Sequence, residues 1–262
     1  AGDQDTAMTD WNPDAYAAFR GLRLRPALDL MARIPDLPPG DVVDLGCGDG
    51  AAAAALRVRF GGRRLLGLDS SPAMLAKAQG YDDRIEADIA AWQPRTPPAL
   101  IFSNAALQWL GDHAALLPRL AGILAPGGWL AVQMPRNHEA ASHRLLHLTA
   151  RALFPDDFPS DPPPPAVASP QAYWAILAPL GRLTIWESDY LQQLGPAETG
   201  HPVRRFTEST SMRPFLERLS PADGARFTNA YDAALEAAYP RLADGGALFP
   251  FRRLFLILTR PL

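Results

Sequence analysis

Residues 42–50 read Val42-Val43-Asp44-Leu45-Gly46-Cys47-Gly48-Asp49-Gly50, and no other run in the chain restricts the fold so tightly. Apolar residues around one carboxylate make a short strand buried on both faces, and glycine at every second position after it lets the backbone turn through positive φ. The alanine-rich segment at 51–60 reads as a helix whose first amides point back at that turn. Strand, glycine turn and helix together form one unit of a parallel sheet. The pattern repeats, with strands predicted at 42–45, 64–69, 84–88, 99–103 and 129–134. Ser71-Pro72 opens one intervening helix, Asp112 caps another, and Pro126-Gly127-Gly128 turns the chain into the fifth strand.

Beyond residue 134 the pattern changes. A helix at 139–153 leads into 155–170, where seven prolines exclude helix and central strand and predict an extended connector. A helix at 171–180, an alternating strand at 183–190, helices within 203–239 and a closing strand at 253–259 complete the chain. The expected fold class is α/β: a Rossmann-like, seven-stranded, mostly parallel sheet with helices on both faces and a helical cover. Residues 1–7, before Met8, read as an expression remnant, 8–38 as an N-terminal helical cap and 39–135 as the ligand-binding core. Residues 136–182 read as a helical insertion carrying the proline-rich connector, and 183–262 as the completion of the sheet plus a helical substrate cover.

Apolar residues make up 48% of the 262, enough for a globular core and too many for a disordered or fibrous chain. A formal charge of −3 gives no clustered basic surface for phosphate backbones, so nucleic acid is not an expected partner. No apolar run approaches membrane-spanning length, so no membrane partner is expected. Cys47 is the only cysteine; it cannot form an intramolecular disulfide, its place in the glycine turn suits packing, and a reducing cytoplasm is the expected compartment. Lys77 is the one lysine among 25 basic residues, so an arginine at any single position says little about anion binding.

Asp69 ends the second predicted strand, where a carboxylate can accept two hydrogen bonds from a ribose diol. Together with that acid, Gly46-x-Gly48-x-x-Ala51 also satisfies the dinucleotide fingerprint in its Gly/Ala form, so spacing alone leaves a nicotinamide cofactor open. Three further features favour S-adenosylmethionine. Asp44 closes the first strand, where a carboxylate repels a pyrophosphate but suits a cationic aminoacyl or sulfonium group. Asp88, in Glu86-Ala87-Asp88-Ile89, closes the third strand and can accept from an adenine amino group while Ile89 packs on the ring. Asn104-Ala105-Ala106-Leu107-Gln108-Trp109 follows the fourth strand, at the carboxyl end where open α/β sheets bind ligands. Within it, Gln108 and Trp109 are placed to face a transferable methyl. Upstream, Trp11, Tyr16 and Phe19 give the cap an apolar face that can pack on the sheet edge or cover the cofactor, with Tyr16 the candidate contact.

Further motifs lie along the chain: Asp10-Trp11-Asn12-Pro13, Arg23-x-Arg25-Pro26, Asp69-Ser70-Ser71-Pro72-Ala73-Met74, Trp92-Gln93-Pro94, Leu107-Gln108-Trp109-Leu110, Leu130-Ala131-Val132-Gln133-Met134-Pro135, Arg213-Pro214 and Arg253-Leu254-Phe255. On these residues the chain resembles the class I S-adenosylmethionine-dependent methyltransferases, over nearly everything after Met8. Within them it is similar to a group that esterifies a small unsaturated tricarboxylic acid. The resemblance implies methyl transfer to a carboxylate, giving a monomethyl ester and S-adenosylhomocysteine. It implies cofactor contacts at Asp44, Gly46, Cys47, Gly48, Asp69, Ser70, Met74, Asp88, Ile89, Asn104 and Tyr16. Arg213 and Arg253 match positions of the pattern and Arg25 lies in the cap, which makes these three the candidates for substrate carboxylates. Elementary chemistry agrees, because a carboxylate is already ionised at neutral pH and needs no general base to attack a methyl. Catalysis then rests on positioning, by Gln108 and Trp109, and on arginine forks for the remaining carboxylates.

Three departures from that pattern stand out. Asp49 lies between glycines where proline is common, and Ala51-Ala52-Ala53 replaces polar residues, so cofactor binding is expected to change. Arg136 follows Pro135 where an acid is usual, adding a positive charge expected near the mouth of the site. A malonyl group on acyl carrier protein as the substrate, and an S-adenosylmethionine-binding protein without turnover, are the alternatives. His138-Glu139 with His143 and His147 lacks zinc-helix spacing, and no metal is expected; His201 reads as a loop residue.

Overall fold

The computed structural model describes residues 20–160 and 164–262. Residues 1–7 and the expected cap contacts Trp11, Tyr16 and Phe19 fall outside the described residues. Seven strands form one sheet: β1 (Val42–Leu45), β2 (Leu65–Asp69), β3 (Asp83–Glu86), β4 (Leu100–Asn104), β5 (Trp129–Pro135), β6 (Arg182–Leu194) and β7 (Ala247–Thr259). Their spatial order is β3-β2-β1-β4-β5-β7-β6. The first five are parallel, and β7 runs antiparallel between β5 and β6. Strand order reverses between β1 and β4, and the crevice at the carboxyl ends of those two strands is where such sheets hold ligands.

Side-chain alternation divides the core between the two faces. Val43, Leu45, Ile101, Leu130, Val132, Leu254 and Leu256 pack beneath α4 (His113–Gly122) and α6 (Pro170–Leu177). Val42, Leu100, Phe102, Trp129, Ala131 and Phe255 pack on the other face, beneath Ala27, Leu30 and Met31 of α1 (Arg20–Ala32) and Leu56 of α2 (Ala53–Arg59). Period-two patterning sends alternate residues of each strand to opposite faces, so this parity also assigns a face to every polar residue at a strand end. α3 (Pro72–Lys77) follows β2 and is capped by Ser71.

A third cluster joins α5 (Ala141–Leu153), α7 (Pro202–Glu208), α8 (Arg213–Leu216) and α9 (Pro221–Ala238) to the far ends of β6 and β7. Those strands pair from Arg182↔Thr259 to Leu194↔Ala247, well past the expected limits of 183–190 and 253–259. β7 includes Pro250, which has no N–H to give to a ladder. It is tolerated because β5 stops pairing at Arg253, so β7 has a neighbour on one side only at residue 250. The helices expected within 203–239 are separated at 209–212 and 217–220, with Pro214 and Pro221 in the first turns of α8 and α9. Pro26 lies inside α1. The third strand stops at Glu86, two residues before its expected end, which leaves Asp88 in a turn.

Candidate active site

The amides of Gly46 and Cys47 both donate to the carbonyl of Leu68, at 2.7 and 2.9 Å, so the chain leaves β1 still tied to β2. Gly46 has φ of 78°, and a Cβ there would lie 2.2 Å from Cβ of Ala106, so only glycine lets the loops after β1 and β4 touch. Asp69 organises the other side of the turn. One carboxylate oxygen accepts the Gly48 amide at 2.8 Å, and the other accepts the Ser71 amide at 2.9 Å. Each oxygen keeps a further lone-pair site for a ligand hydroxyl. The Met74 methyl lies 3.9 Å from where a Gly48 Cβ would be, and no nearer atom crowds that position. Ser70 is exposed. Asp88 is also exposed and accepts the Ala90 amide at 2.8 Å, while Ile89 is buried and its carbonyl is held by Arg119 at 2.5 Å.

Cys47 is buried, and desolvation, with the charges of Asp44 and Asp69, pushes its thiol well above the usual range, so it is unreactive. Ala52 and Ala53 are buried too, which gives the alanine run a packing role. Asp44 is the unusual group. It is 2% exposed, and Tyr81 donates to it at 2.6 Å. Tyr81 reaches it by lying across β2 at Gly67, where a Cβ would meet the ring at 2.8 Å. Burial pushes the Asp44 carboxyl up to about 7; the Tyr81 hydrogen bond opposes the rise and the Asp69 charge adds to it. A glycine in the middle of a buried strand was the only sequence signal for this contact.

Parity places Asp44, Asn104, Gln133 and Arg253 on the α1 face, at the carboxyl end of β1, β4 and β5 and alongside on β7. Asn104 Oδ1, Gln108 Oε1 and both amide atoms of Gln133 are buried with no hydrogen-bond partner among the described residues. Gln108 Nε2 donates to Ala105 O at 2.8 Å, and Ala105 itself has φ of 53°. The short turn Leu107–Trp109 is fixed from below by His113, which bridges Leu107 O and the Tyr173 hydroxyl at 2.8 and 2.6 Å. Trp109 is 62% exposed.

The three candidate arginines occupy different settings. Arg253 is buried, with its guanidinium 4.3 Å from the Phe251 ring centroid. Arg25 is exposed on α1, 4.0 Å from Asp29 and 5.8 Å from the Tyr190 ring centroid. Tyr190 donates to Asp29 at 2.6 Å, and its cross-strand partner on β7 is Phe251, the ring beneath Arg253. Arg213 sits in the helical cover, ion-paired with Glu217 at 2.7 Å. Arg136 is not a loose charge at a mouth: it is nearly buried, reaching Glu187 at 3.0 Å and Ala168 O at 3.3 Å, and clamps the connector to β6.

His143 and His201 are held by hydrogen bonds within the fold. His143 is bonded to Ser142 and Ser211 at 3.1 and 2.8 Å, and desolvation lowers its pKa to about 4. His201 lies in the loop before α7, as expected, but it is fully buried there, caps the helix and contacts Tyr239 O at 2.9 Å. Among the described residues no group of three or more His, Cys, Asp or Glu side chains could hold a metal ion.

A methyltransferase-domain family model matches residues 16–194. Trans-aconitate 2-methyltransferases of Methylobacterium radiotolerans and Methylobacterium nodulans are 41% and 43% identical, each across 97% of this chain and 99% of the relative. The Escherichia coli O17:K52:H18 enzyme of that name is 38% identical over the same shares. Among solved structures, Haemonchus contortus phosphoethanolamine N-methyltransferase 2 with S-adenosylmethionine aligns with a TM-score of 0.57 at 17% identity, over 98% of this chain and 59% of that one. The YcgJ protein of Bacillus subtilis aligns at 0.55 and 14%, over 91% and 99%. At these identities the structural likeness establishes the fold, which is Rossmann-like. The site's own features suit a cationic nucleoside: two carboxylates at strand ends, an unpartnered buried amide oxygen on Asn104, and a side-chain-free approach over Gly48.

Proposed function

The chain belongs to the S-adenosylmethionine-dependent methyltransferases, and on that premise we propose that it esterifies a carboxylate of trans-aconitate. The observation that carries the substrate is the extent of the likeness to trans-aconitate 2-methyltransferases, which covers 97% of the chain and so includes the helical cover as well as the glycine loop. When bound, S-adenosylmethionine supplies a methyl on a sulfonium, whose C–S electron pair returns to sulfur as a carboxylate oxygen bonds to the methyl carbon, leaving S-adenosylhomocysteine and a methyl ester.

The chain's own residues then bind and orient. Asp69 takes the ribose diol, and the backbone of Gly46, Cys47 and Gly48 lets the nucleoside lie close. Asp88 and Ile89 hold the adenine, with Ser70 and Met74 beside it. Asp44 and Asn104 face the aminoacyl end. Gln108 and Trp109 position the reacting groups, with no base required. Arg253 and Arg25 bind the substrate's other carboxylates, and Arg213 approaches from the cover. The substrate is the small acid itself, with no part for nucleic acid or a membrane. No helix among the described residues is long and apolar enough to cross one. The working compartment is the cytoplasm.

Mass-spectrometric detection of a methyl ester, with a panel of di- and tricarboxylic acids including trans-aconitate, tests this reading. Ester on trans-aconitate supports it. Ester on another acid moves the substrate but keeps the chemistry, and no ester despite cofactor binding favours a carrier-bound substrate or a non-catalytic protein. Arg253→Ala is expected to raise the KM for the acid about tenfold, as for one lost charge-assisted contact, with cofactor affinity unchanged. A parallel loss of both in steady-state kinetics and calorimetry would point to folding damage.

A further inference from the structure

We propose that the carboxamide of Gln133 holds the carboxylate that becomes methylated, an assignment that rests on the carboxyl-methyltransferase reading above. Gln133 interrupts a strand that is otherwise apolar, Leu130-Ala131-Val132 before it and Met134 after, and it is fully buried. Trp129 and Ala131 lie beneath α1, while Leu130, Val132 and Met134 lie on the opposite face. Parity therefore turns Gln133 toward α1, between Asn104 and Phe255, its partners in register on β4 and β7. Among the described residues neither Nε2 nor Oε1 has a hydrogen-bond partner. Buried side-chain amides are nearly always paired, and leaving both ends unmet costs stability, so the group serves something other than packing.

Its neighbours indicate what. Asn104 Oδ1 is likewise unpartnered. Just past the end of β5, Asn137 is anchored through Oδ1, which accepts the Arg252 amide at 3.0 Å, and its buried Nδ2 donor has no partner among the described residues. Arg253 stands two residues from Phe255 on the same face of β7, opposite Pro135. Across the sheet the order is therefore Asp44, Asn104, Gln133, Arg253 and Tyr190, on strands spaced ~4.8 Å apart. Cofactor groups stand at one end of this row and the cationic anchor at the other. A carboxylate reaching from the anchor toward the methyl must pass over β5, where Gln133 Nε2 can donate to one of its oxygens and leave the other to attack. A neutral donor suits that oxygen pair, because it orients the nucleophile without the stronger, charge-assisted pairing that a second arginine would impose.

The test is the set wild type, Gln133→Leu and Gln133→Glu, each examined for trans-aconitate kinetics, S-adenosylmethionine affinity by calorimetry and Tm without ligands. Gln133→Leu is expected to lower kcat/KM roughly tenfold to a hundredfold while leaving cofactor affinity unchanged and raising Tm, because two unmet polar atoms are removed. Gln133→Glu is expected to be slower still, since a carboxylate would face a carboxylate. Wild-type kinetics in Gln133→Leu would overturn the assignment while leaving the methyltransferase reading intact. A variant that is slower and also less stable would overturn it too, as the signature of a lost internal contact. If the wild type forms no ester on any acid, the underlying reading fails and the assignment with it.

Discussion

Replacing Asp69 with alanine is expected to weaken S-adenosylmethionine binding by about a hundredfold to a thousandfold, the equivalent of two hydrogen bonds to a charged acceptor. The carboxylate does two jobs. At the end of β2 it is our proposed acceptor for the ribose diol, and it already accepts the Gly48 and Ser71 amides at 2.8 and 2.9 Å. Alanine therefore removes ligand contacts and also frees the glycine loop from β2. Asn is not a safe substitute, because its NH2 group would face one of those two amide donors. Calorimetric titration of the cofactor checks the prediction, with Tm as the control for folding. An affinity indistinguishable from wild type would move the nucleoside away from β2.

The part of this site that rests on backbone geometry was legible in the residues. A strand followed by alternating glycines dictates a turn with positive φ, and the predicted strand ends put Asp44, Asp69 and Asn104 at one edge of the sheet. Other contacts were not legible, because they depend on which side chain crosses a strand. Nothing local marks Tyr81 as the partner of Asp44, since the residues are 37 apart and meet only because Gly67 leaves room. Tyr190 and Asp29 are 161 apart, joined by the return of β6 to the edge of the sheet. Gln133 did carry a signal, a polar residue in a buried apolar strand, but only the assembled sheet reveals that its amide is unmet. Local patterning also misplaced Asp88 at a strand end, because alternation ran on past Glu86 while backbone pairing with β2 stopped there.

The second large effect concerns the buried carboxyl of Asp44. Its pKa is raised from 3.8 to about 7, chiefly by desolvation, so the folded protein favours the protonated form that the unfolded chain gives up at lower pH. The resulting stability is fully present below about pH 4, declines as pH rises toward 7 and is lost above it; its size is on the order of 4 kcal/mol. Asp44→Asn is therefore expected to flatten this part of the stability profile and to make the ligand-free protein more stable than wild type at pH 8 by a few kcal/mol. Denaturant unfolding from pH 5 to 8 measures both. The same substitution is expected to weaken the cofactor, because a cationic ligand end gains from an ionised Asp44 and not from an amide. In the wild type, affinity should then rise between pH 6 and 8, with proton release on binding visible as a buffer-dependent heat at the lower pH. Tyr81→Phe removes the hydrogen bond that favours ionisation, so it should push the rise to higher pH. If wild-type stability were flat over this range, Asp44 would already be ionised in the ligand-free protein. Its charge would then be held by water inside the site, and the cofactor would have to displace that water instead of a proton.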